Sequence, residues 1–515
     1  MSSSPHCFIK RSRGYHPAAR NWSAPIVTLL LWLSLAALAA GELHAADVHR
    51  PNIVVILADD LGWDDVSWNN PRVQTPNLAR LCAEGVRLDQ QYVTPMCSPT
   101  RATLLSGRYA SRFGVTSAQN ERAFPFNTVT LPRALKSVGY ETALIGKWHL
   151  GSAPEWGPQK FGFDYSYGTL AGGCGPYSHK YKAGPYENSW HRNGKLITEE
   201  GHVTDLITQD AVKWLGERDD KPFFLYLAFT APHVPIAEPE EWQQVYSERE
   251  KWLQRYPKGD FPAKRQYYAD VTHLDSAVGK VMDALDKSGK RGDTLVVFLS
   301  DNGATPYAPN DGWLKSTDPR EQFTPGPGGG SNRPLRGEKT EVFEGGIRVP
   351  AFVNWPGVLK PGAYADPIHA ADWMPTLCAM AGYTPNHDLK WDGSNAWPWI
   401  TGKQTEPARQ LYWVDPGFVR FAVRDGDYKL IYRKRSYHAQ LFDLRLDPEE
   451  TTDLAAQQPK RVAALMKLES KLSARDNDAK VKPNSSVRFT PDNDNFPDAA
   501  YARFALAREH SETGR

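Results

Sequence analysis

The seven residues Asn52–Ala58, NIVVILA, constrain the fold most. A short β-branched apolar run of this kind buries both faces, as a strand inside a parallel sheet does. It stops abruptly at Asp59-Asp60. A second such run, Thr294–Leu299 (TLVVFL), stops at Ser300-Asp301-Asn302, and Tyr140–Ile145 and Pro222–Phe229 read as further strands. Helical patterns lie between them. They cover Thr75–Glu84 with Leu78 and Leu81 inward, Leu131–Val138, Asp205–Leu215, and a face formed by Leu274, Val278, Val281, Met282 and Leu285 that Gly289 stops. The alternation predicts an α/β fold, a mostly parallel sheet flanked by helices on both faces.

After about Thr401 the pattern changes. Gln410–Val414, Arg420–Val423, Tyr428–Tyr432 and Gln440–Leu444 read as short strands, with Asp425-Gly426 as a hairpin turn and Pro459–Leu472 as an amphipathic helix. This predicts a catalytic domain over 46–400 and, over 401–515, a C-terminal subdomain of antiparallel sheet plus helix, with a polar tail. The Gly- and Pro-rich stretch Pro306–Gly330 predicts a surface loop.

The N-terminus reads as an export signal over residues 1–45. Lys10, Arg11, Arg13 and Arg20 precede an apolar run from Ile26 to Ala40, and Leu43-His44-Ala45 offers a cleavage sequence. The run falls short of the roughly 20 residues that span a bilayer, so no stable membrane span is expected after cleavage. The predicted location is periplasmic or secreted. The whole chain carries a formal charge of +2, but without residues 1–45 it holds 57 basic and 58 acidic side chains. The slight basicity therefore belongs to the leader, and nucleic acid is not an expected partner. Of the five cysteines, Cys82, Cys97, Cys174 and Cys378 follow the leader without a CxxC pair, so no thiolate metal site is expected.

Two acidic strand ends carry chemistry if they meet. Ligands of open α/β sheets bind at the carboxyl ends of the strands. Asp59, Asp60, Asp301 and Asn302 would then offer hard oxygen ligands suited to Ca²⁺ or Mg²⁺. Alone, Asp-Asp after a strand caps a helix and Asp-Asn-Gly makes a tight turn. The second feature is Cys97-Ser98-Pro99-Thr100-Arg101-Ala102, leading into Leu104-Leu105-Ser106-Gly107-Arg108. A helix N-terminus and a nearby Arg favour negative charge at residue 97.

Cys-x-Pro-x-Arg, continued as Ala-x-Leu-Leu-x-Gly-Arg, resembles the signature of the type I, formylglycine-dependent sulfatases, arylsulfatase-like enzymes on an alkaline-phosphatase-like fold. Further blocks resemble that family in order: Asp59-Asp60-Leu61-Gly62, Gly146-Lys147-Trp148-His149-Leu150-Gly151, Ala231-Pro232-His233, Asp301-Asn302-Gly303, Glu344-Gly345-Gly346-Ile347-Arg348-Val349-Pro350 and Leu441–Leu454. The resemblance spans about Asn52 to Leu472. It implies that a separate maturation enzyme oxidises Cys97 to formylglycine. It also implies that Asp59, Asp60, Asp301, Asn302 and an oxygen of modified residue 97 hold one calcium ion. The hydrated aldehyde would attack sulfur, with Asp301 as a base and Arg101 holding the modified side chain. Lys147, His233 and Lys339 would contact sulfate oxygens, His233 would protonate the leaving alcohol, and His149 would take the proton whose removal expels sulfate.

The implied substrate is a sulfated glycan or amino sugar, or an aryl sulfate. Two aromatic groups, one between Tyr165 and Trp190 and one of Trp391, Trp397 and Trp399, are candidates for stacking on sugar rings. Glu338 and Glu341 flank Lys339 and compete for its amine. The alternative activities are a phosphonate monoester or phosphodiester hydrolase of the same superfamily and a silent carbohydrate-binding relative with an intact Cys97 thiol.

Overall fold

The strand β1 (Asn52–Ala58) has the bounds its apolar run sets, and all seven residues are buried. Ile53, Val55 and Leu57 enter one hydrophobic core, whereas Val54, Ile56 and Ala58 enter another on the opposite face. This two-sided burial is what selects an unbroken β-branched run over an alternating one. The computed structural model describes residues 50–182, 185–246, 261–306, 318–321, 329–405, 407–434, 436 and 438–481. The export signal expected at 1–45 lies outside the described residues. So does most of 306–330; of its described residues, Pro319 and Arg320 are exposed, as expected of a surface loop, whereas Glu321, Gly329 and Gly330 are buried.

The main sheet also contains β2 (Val86–Tyr92), β3 (Glu141–Gly146), β4 (Tyr165–Thr169), β5 (Trp190–Arg192) and β6 (Lys195–Leu196). Its remaining strands are β7 (Phe223–Ala228), β8 (Thr294–Ser300), β9 (Arg348–Val349), β10 (Ala351–Asn354) and β11 (Gly362–His369). The order is β11-β2-β10-β8-β1-β7-β3-β4-β5-β6, with β9 on β2. β1 runs parallel to β7 and β8, and β3 parallel to β7 and β4, whereas β10 is antiparallel to β8 and β2. The helices Pro76–Ala83, Val203–Gly216 and Phe261–Lys287 cover the face that holds Val54 and Ile56. The helices Cys97–Ser106, Leu131–Ser137 and Trp373–Met380 cover the other.

The second sheet is antiparallel, in the order β12 (Gln410–Val414), β13 (Arg420–Asp425), β14 (Tyr428–Arg433), β15 (His438–Asp443). Leu411, Trp413, Ala422, Ile431 and Phe442 pack one face against Tyr92, Val342 and Ile347 of the main body. Tyr412, Phe421, Val423, Leu430 and Leu441 pack the other against Leu465 and Leu468 of the helix Pro459–Ser473. The small sheet is therefore buried on both sides. Among the described residues no helix is long and apolar enough to cross a membrane.

Candidate active site

Four neighbouring parallel strands, β8-β1-β7-β3, deliver most of the candidate residues. Register pairs Ala58 with Ser300, Leu57 with Ala228, and Gly146 with Ala228. The chain leaves β1 into Asp59-Asp60, β8 into Asp301-Asn302, β7 towards His233 and β3 into Lys147 and His149. All these side chains thus meet at one carboxyl-end edge. Gly146 permits the turn after β3. Its φ is +115°, and a Cβ there would lie 1.8 Å from the Ala228 carbonyl oxygen.

Cys97 is the first residue of the buried helix Cys97–Ser106 and is 2% exposed. One turn on, Arg101 is wholly buried. Its Nε and Nη2 donate to Asp301 Oδ2 at 3.0 and 2.7 Å, its Nη1 donates to the Lys147 carbonyl at 2.8 Å, and Asp59 Oδ2 lies 3.9 Å away. Lys147 Nζ donates to Asp59 Oδ2. Asp60 has φ +65°, its Oδ1 accepts from Asn302 Nδ2 at 2.7 Å, and its Oδ2 accepts from Lys339 Nζ at 2.8 Å. His233 Nε2 stands 3.7 Å from the same oxygen, while its Nδ1 donates to the Val234 carbonyl. Of the two acids beside Lys339, Glu341 pairs with Arg420 at 3.2 Å.

Burial raises Asp301 to about 6, helped by the neighbouring Asp59 charge and opposed by Arg101. Burial also pushes Asp60 up, but Lys339 and His233 outweigh it and hold that carboxyl at about 2. Burial and the Lys339 charge press His233 down to about 3, and burial with Lys147 and Arg101 keeps His149 well below its ordinary value. Both histidines are therefore neutral imidazoles as they stand. The Cys97 thiol is raised by burial.

Two oxygens bear on metal binding. Asp59 Oδ1 and Asn302 Oδ1 are buried without a hydrogen-bond partner in the structure. Ligand atoms of Asp59, Cys97 and Asp301 lie within 4.8 Å of one another, as do those of Asp59, Asp60 and His233. Orphaned hard oxygens among carboxylates fit a calcium-sized cation. Both nitrogens of His149 are likewise buried without a partner. Its ring is packed on Gly172, where a Cβ would lie 2.4 Å from Nε2. Sequence reasoning missed Gly172, and it also missed Ser98. Ser98 Oγ donates to the His149 carbonyl at 2.8 Å and accepts from Gln119 N at 2.9 Å. A serine inside a signature motif was the only available hint. The aromatic groups offered for sugar stacking belong largely to the core, with Tyr167, Trp190 and Trp399 buried and Trp391 and Trp397 packed against it.

A separate buried group, His202, Glu238 and His273, also brings ligand atoms within 4.8 Å of one another. His202 Nδ1 accepts from Thr204 N at 3.3 Å as the cap of the helix Val203–Gly216, which places its hydrogen on Nε2, 3.2 Å from Glu238 Oε1. His273 lies between Glu238 Oε2 (2.9 Å) and Asp205 Oδ1 (3.3 Å). This is an ion-pair network that ties the His233 loop to two helices. Burial opposes the imidazolium, yet the two carboxylates raise His273 to about 9. A folded-state pKa above the unfolded 6.5 gives stability that is complete below about 6.5 and lost as the pH rises through about 9. Denaturant unfolding is expected to show a loss on the order of 3 kcal/mol between about pH 6 and about pH 10 that His273→Gln removes. Equal losses in both proteins would refute the assignment.

Fold and site together define an α/β enzyme-like centre that gathers carboxylates, cations and a buried cysteine at the sheet's carboxyl edge. A family model described as Sulfatase matches residues 51–383, and one described as N-sulphoglucosamine sulphohydrolase, C-terminal, matches residues 338–478. N-acetylgalactosamine-6-sulfatase of Mus musculus is 34% identical over 427 residues, 78% of this chain and 75% of that protein. Arylsulfatase J of Mus musculus is 32% identical over 407 residues, 76% of this chain but only 62% of that protein's length. Among solved structures, Ps i-CgsB in complex with k-i-k-neocarrahexaose is similar at TM-score 0.72 and 28% identity, covering 85% of this chain and 96% of that one. The chain belongs to the sulfatase family, whose members hydrolyse sulfuric esters.

Proposed function

We propose that this protein hydrolyses sulfate esters of a sulfated saccharide, with residue 97 oxidised to formylglycine and one calcium ion held by Asp59, Asp60, Asp301 and Asn302. The observation that carries the reading is the pair of unpartnered buried oxygens, Asp59 Oδ1 and Asn302 Oδ1, beside Cys97 and three cationic side chains. A thiol is a soft neighbour for a hard cation, whereas an oxygen at residue 97 completes a hard ligand set. When bound, calcium supplies positive charge to the oxygens around sulfur. Formylglycine supplies, in its hydrate, the hydroxyl nucleophile.

The chain's own residues do the rest. Arg101 fixes the Asp301 carboxylate by two hydrogen bonds, leaving its other oxygen towards Asp60 N at 3.3 Å. The amines of Lys147 and Lys339 face the centre and neutralise charge growing on sulfate oxygens. His149, a buried neutral imidazole, accepts the proton whose removal releases sulfate. His233 gives a proton to the leaving alcohol through Nε2 once an anionic substrate beside it raises its affinity for that proton. The saccharide class is supported by the amino-sugar sulfatase relatives and by the neocarrahexaose complex of Ps i-CgsB. We extend the same proposal to a catalytic domain at 46–400, a C-terminal subdomain at 401–515, export through residues 1–45, and a maturation enzyme as partner.

Purified protein from its native host is expected to cleave an aryl sulfate and sulfated saccharides with higher kcat/KM than a matched phosphonate ester. Chelation is expected to remove activity and stability, about 3 kcal/mol when free calcium was near 100 times its Kd. Higher efficiency on the phosphonate, or an intact thiol in the Cys97 peptide of active enzyme, would sink the reading.

A further inference from the structure

We infer that Glu450, in the turn after β15, is a positioning residue that sets Lys339 in the active site. The inference rests on the proposed role of Lys339 as a sulfate contact. Lys339 sits on a loop, residues 336–345, whose base is closed by a hydrogen bond from Gly345 N to the Arg336 carbonyl at 2.6 Å. Both stems of that loop are bonded to Glu450. Arg336 Nη1 donates to its carbonyl at 3.0 Å, and Glu344 N donates to its Oε2 at 2.7 Å. At the far side of the loop Lys339 N donates to the Ala304 carbonyl at 3.2 Å and Thr340 N to the Pro95 carbonyl at 2.7 Å. Between these anchors the Lys339 amine reaches Asp60.

The small sheet fastens Glu450 in turn. Lys429 Nζ, on β14, lies 2.9 Å from Glu450 Oε1 and 2.9 Å from Glu344 Oε1, with all three side chains fully buried. Tyr92 OH donates to Glu344 Oε2 at 2.7 Å and accepts from Arg424 Nη1 at 2.7 Å. Glu450 itself has φ +55°, which a non-glycine residue holds only where its surroundings dictate it. Buried ion pairs are a weak source of stability compared with apolar packing, but removing one partner strands the others. What this network supplies is therefore geometry. It sits where the C-terminal sheet meets the loop that carries an active-site amine.

The test compares Glu450→Ala, Glu450→Gln, Lys339→Ala and the Glu450→Ala/Lys339→Ala double variant in the full chain. Amide hydrogen exchange across 338–341 needs no sulfatase activity, so it separates this inference from the proposed function. Exchange there is expected to rise about tenfold in Glu450→Ala and to return most of the way in Glu450→Gln, which keeps an acceptor for Glu344 N. In turnover of an aryl sulfate, Glu450→Ala is expected to raise KM about tenfold, as Lys339→Ala does, and the double variant to be no worse than Lys339→Ala. Unchanged exchange, exchange in Glu450→Gln as fast as in Glu450→Ala, or KM effects that multiply would each overturn the inference. Should Glu450→Ala fail to fold, Arg336→Met removes the stem contact to the Glu450 carbonyl, along with the guanidinium that lies 4.1 Å over the Phe343 ring and is replaced there by an apolar side chain. A KM increase of about threefold that vanishes in the Lys339→Ala background supports the inference, and an unchanged KM overturns it.

Discussion

On the proposed reading, Cys97→Ala is expected to lower kcat for sulfate ester hydrolysis by about 10⁴-fold or more, since it removes the side chain proposed as nucleophile. The side chain is nearly fully buried, and alanine leaves only a small void, so thermal unfolding measured without calcium should change little. Cys97→Ser makes a sharper test. A serine hydroxyl is a hard oxygen that can still attack sulfur, but its sulfate ester cannot collapse to an aldehyde. The expected result is a burst of released alcohol, at most one per chain, followed by near-zero turnover. Sustained turnover by the serine variant would show that no carbonyl chemistry is needed at residue 97.

Arg101→Met has the largest expected effect on the folded state. It removes both hydrogen bonds to Asp301 Oδ2 and the one to the Lys147 carbonyl, and it leaves Asp59 and Asp301 facing each other at zero exposure. Stranding buried charge in this way costs about 3–5 kcal/mol. Urea unfolding should show it as a lower midpoint at unchanged slope. Although burial disfavours the Arg101 charge, Asp301 and Asp59 push its pKa up, so it is a cation throughout the accessible pH range. Arg101→Lys keeps that charge but loses the planar fork, and it is expected to recover less than half of the loss. A midpoint in Arg101→Met equal to that of the parent would refute the ion-pair reading.

Much of the fold was legible because the informative strands are apolar on both faces. β1 and β8 announce themselves, and their acidic ends fall side by side because the two strands are parallel and in register. The edge of the sheet was not legible. β2 (VRLDQQY) and β11 (GAYADPIH) carry polar and exposed positions, and β10 has only four residues, so no hydrophobic period marks them. The pairing of β2 with β11 joins residues hundreds of positions apart, which no local pattern encodes.

The site divides in the same way. Motif residues at strand ends could be named, whereas partners brought by packing could not. Arg101 was assigned to the modified side chain, and the structure shows its guanidinium gripping Asp301. Glu341 counted against Lys339 only while Arg420, on a strand of the other sheet, was out of view. Lys429, which no motif marks in the sequence, is buried between two carboxylates that lie 85 positions before it and 21 after it in the chain.

The depth of Cys97 bears on when the protein can be made active. Its thiol opens a helix in which every residue from Cys97 to Ser106 is buried, packed under the sheet. A second protein cannot enclose that thiol without lifting the helix off its core. On the proposed reading, oxidation therefore belongs to the interval between emergence of the chain and docking of this helix. A molecule that folds first is locked as a thiol, well ordered and inert. The yield of working enzyme then becomes a race between two rates, and slowing collapse around this one helix raises the active fraction without altering a single atom of the finished site.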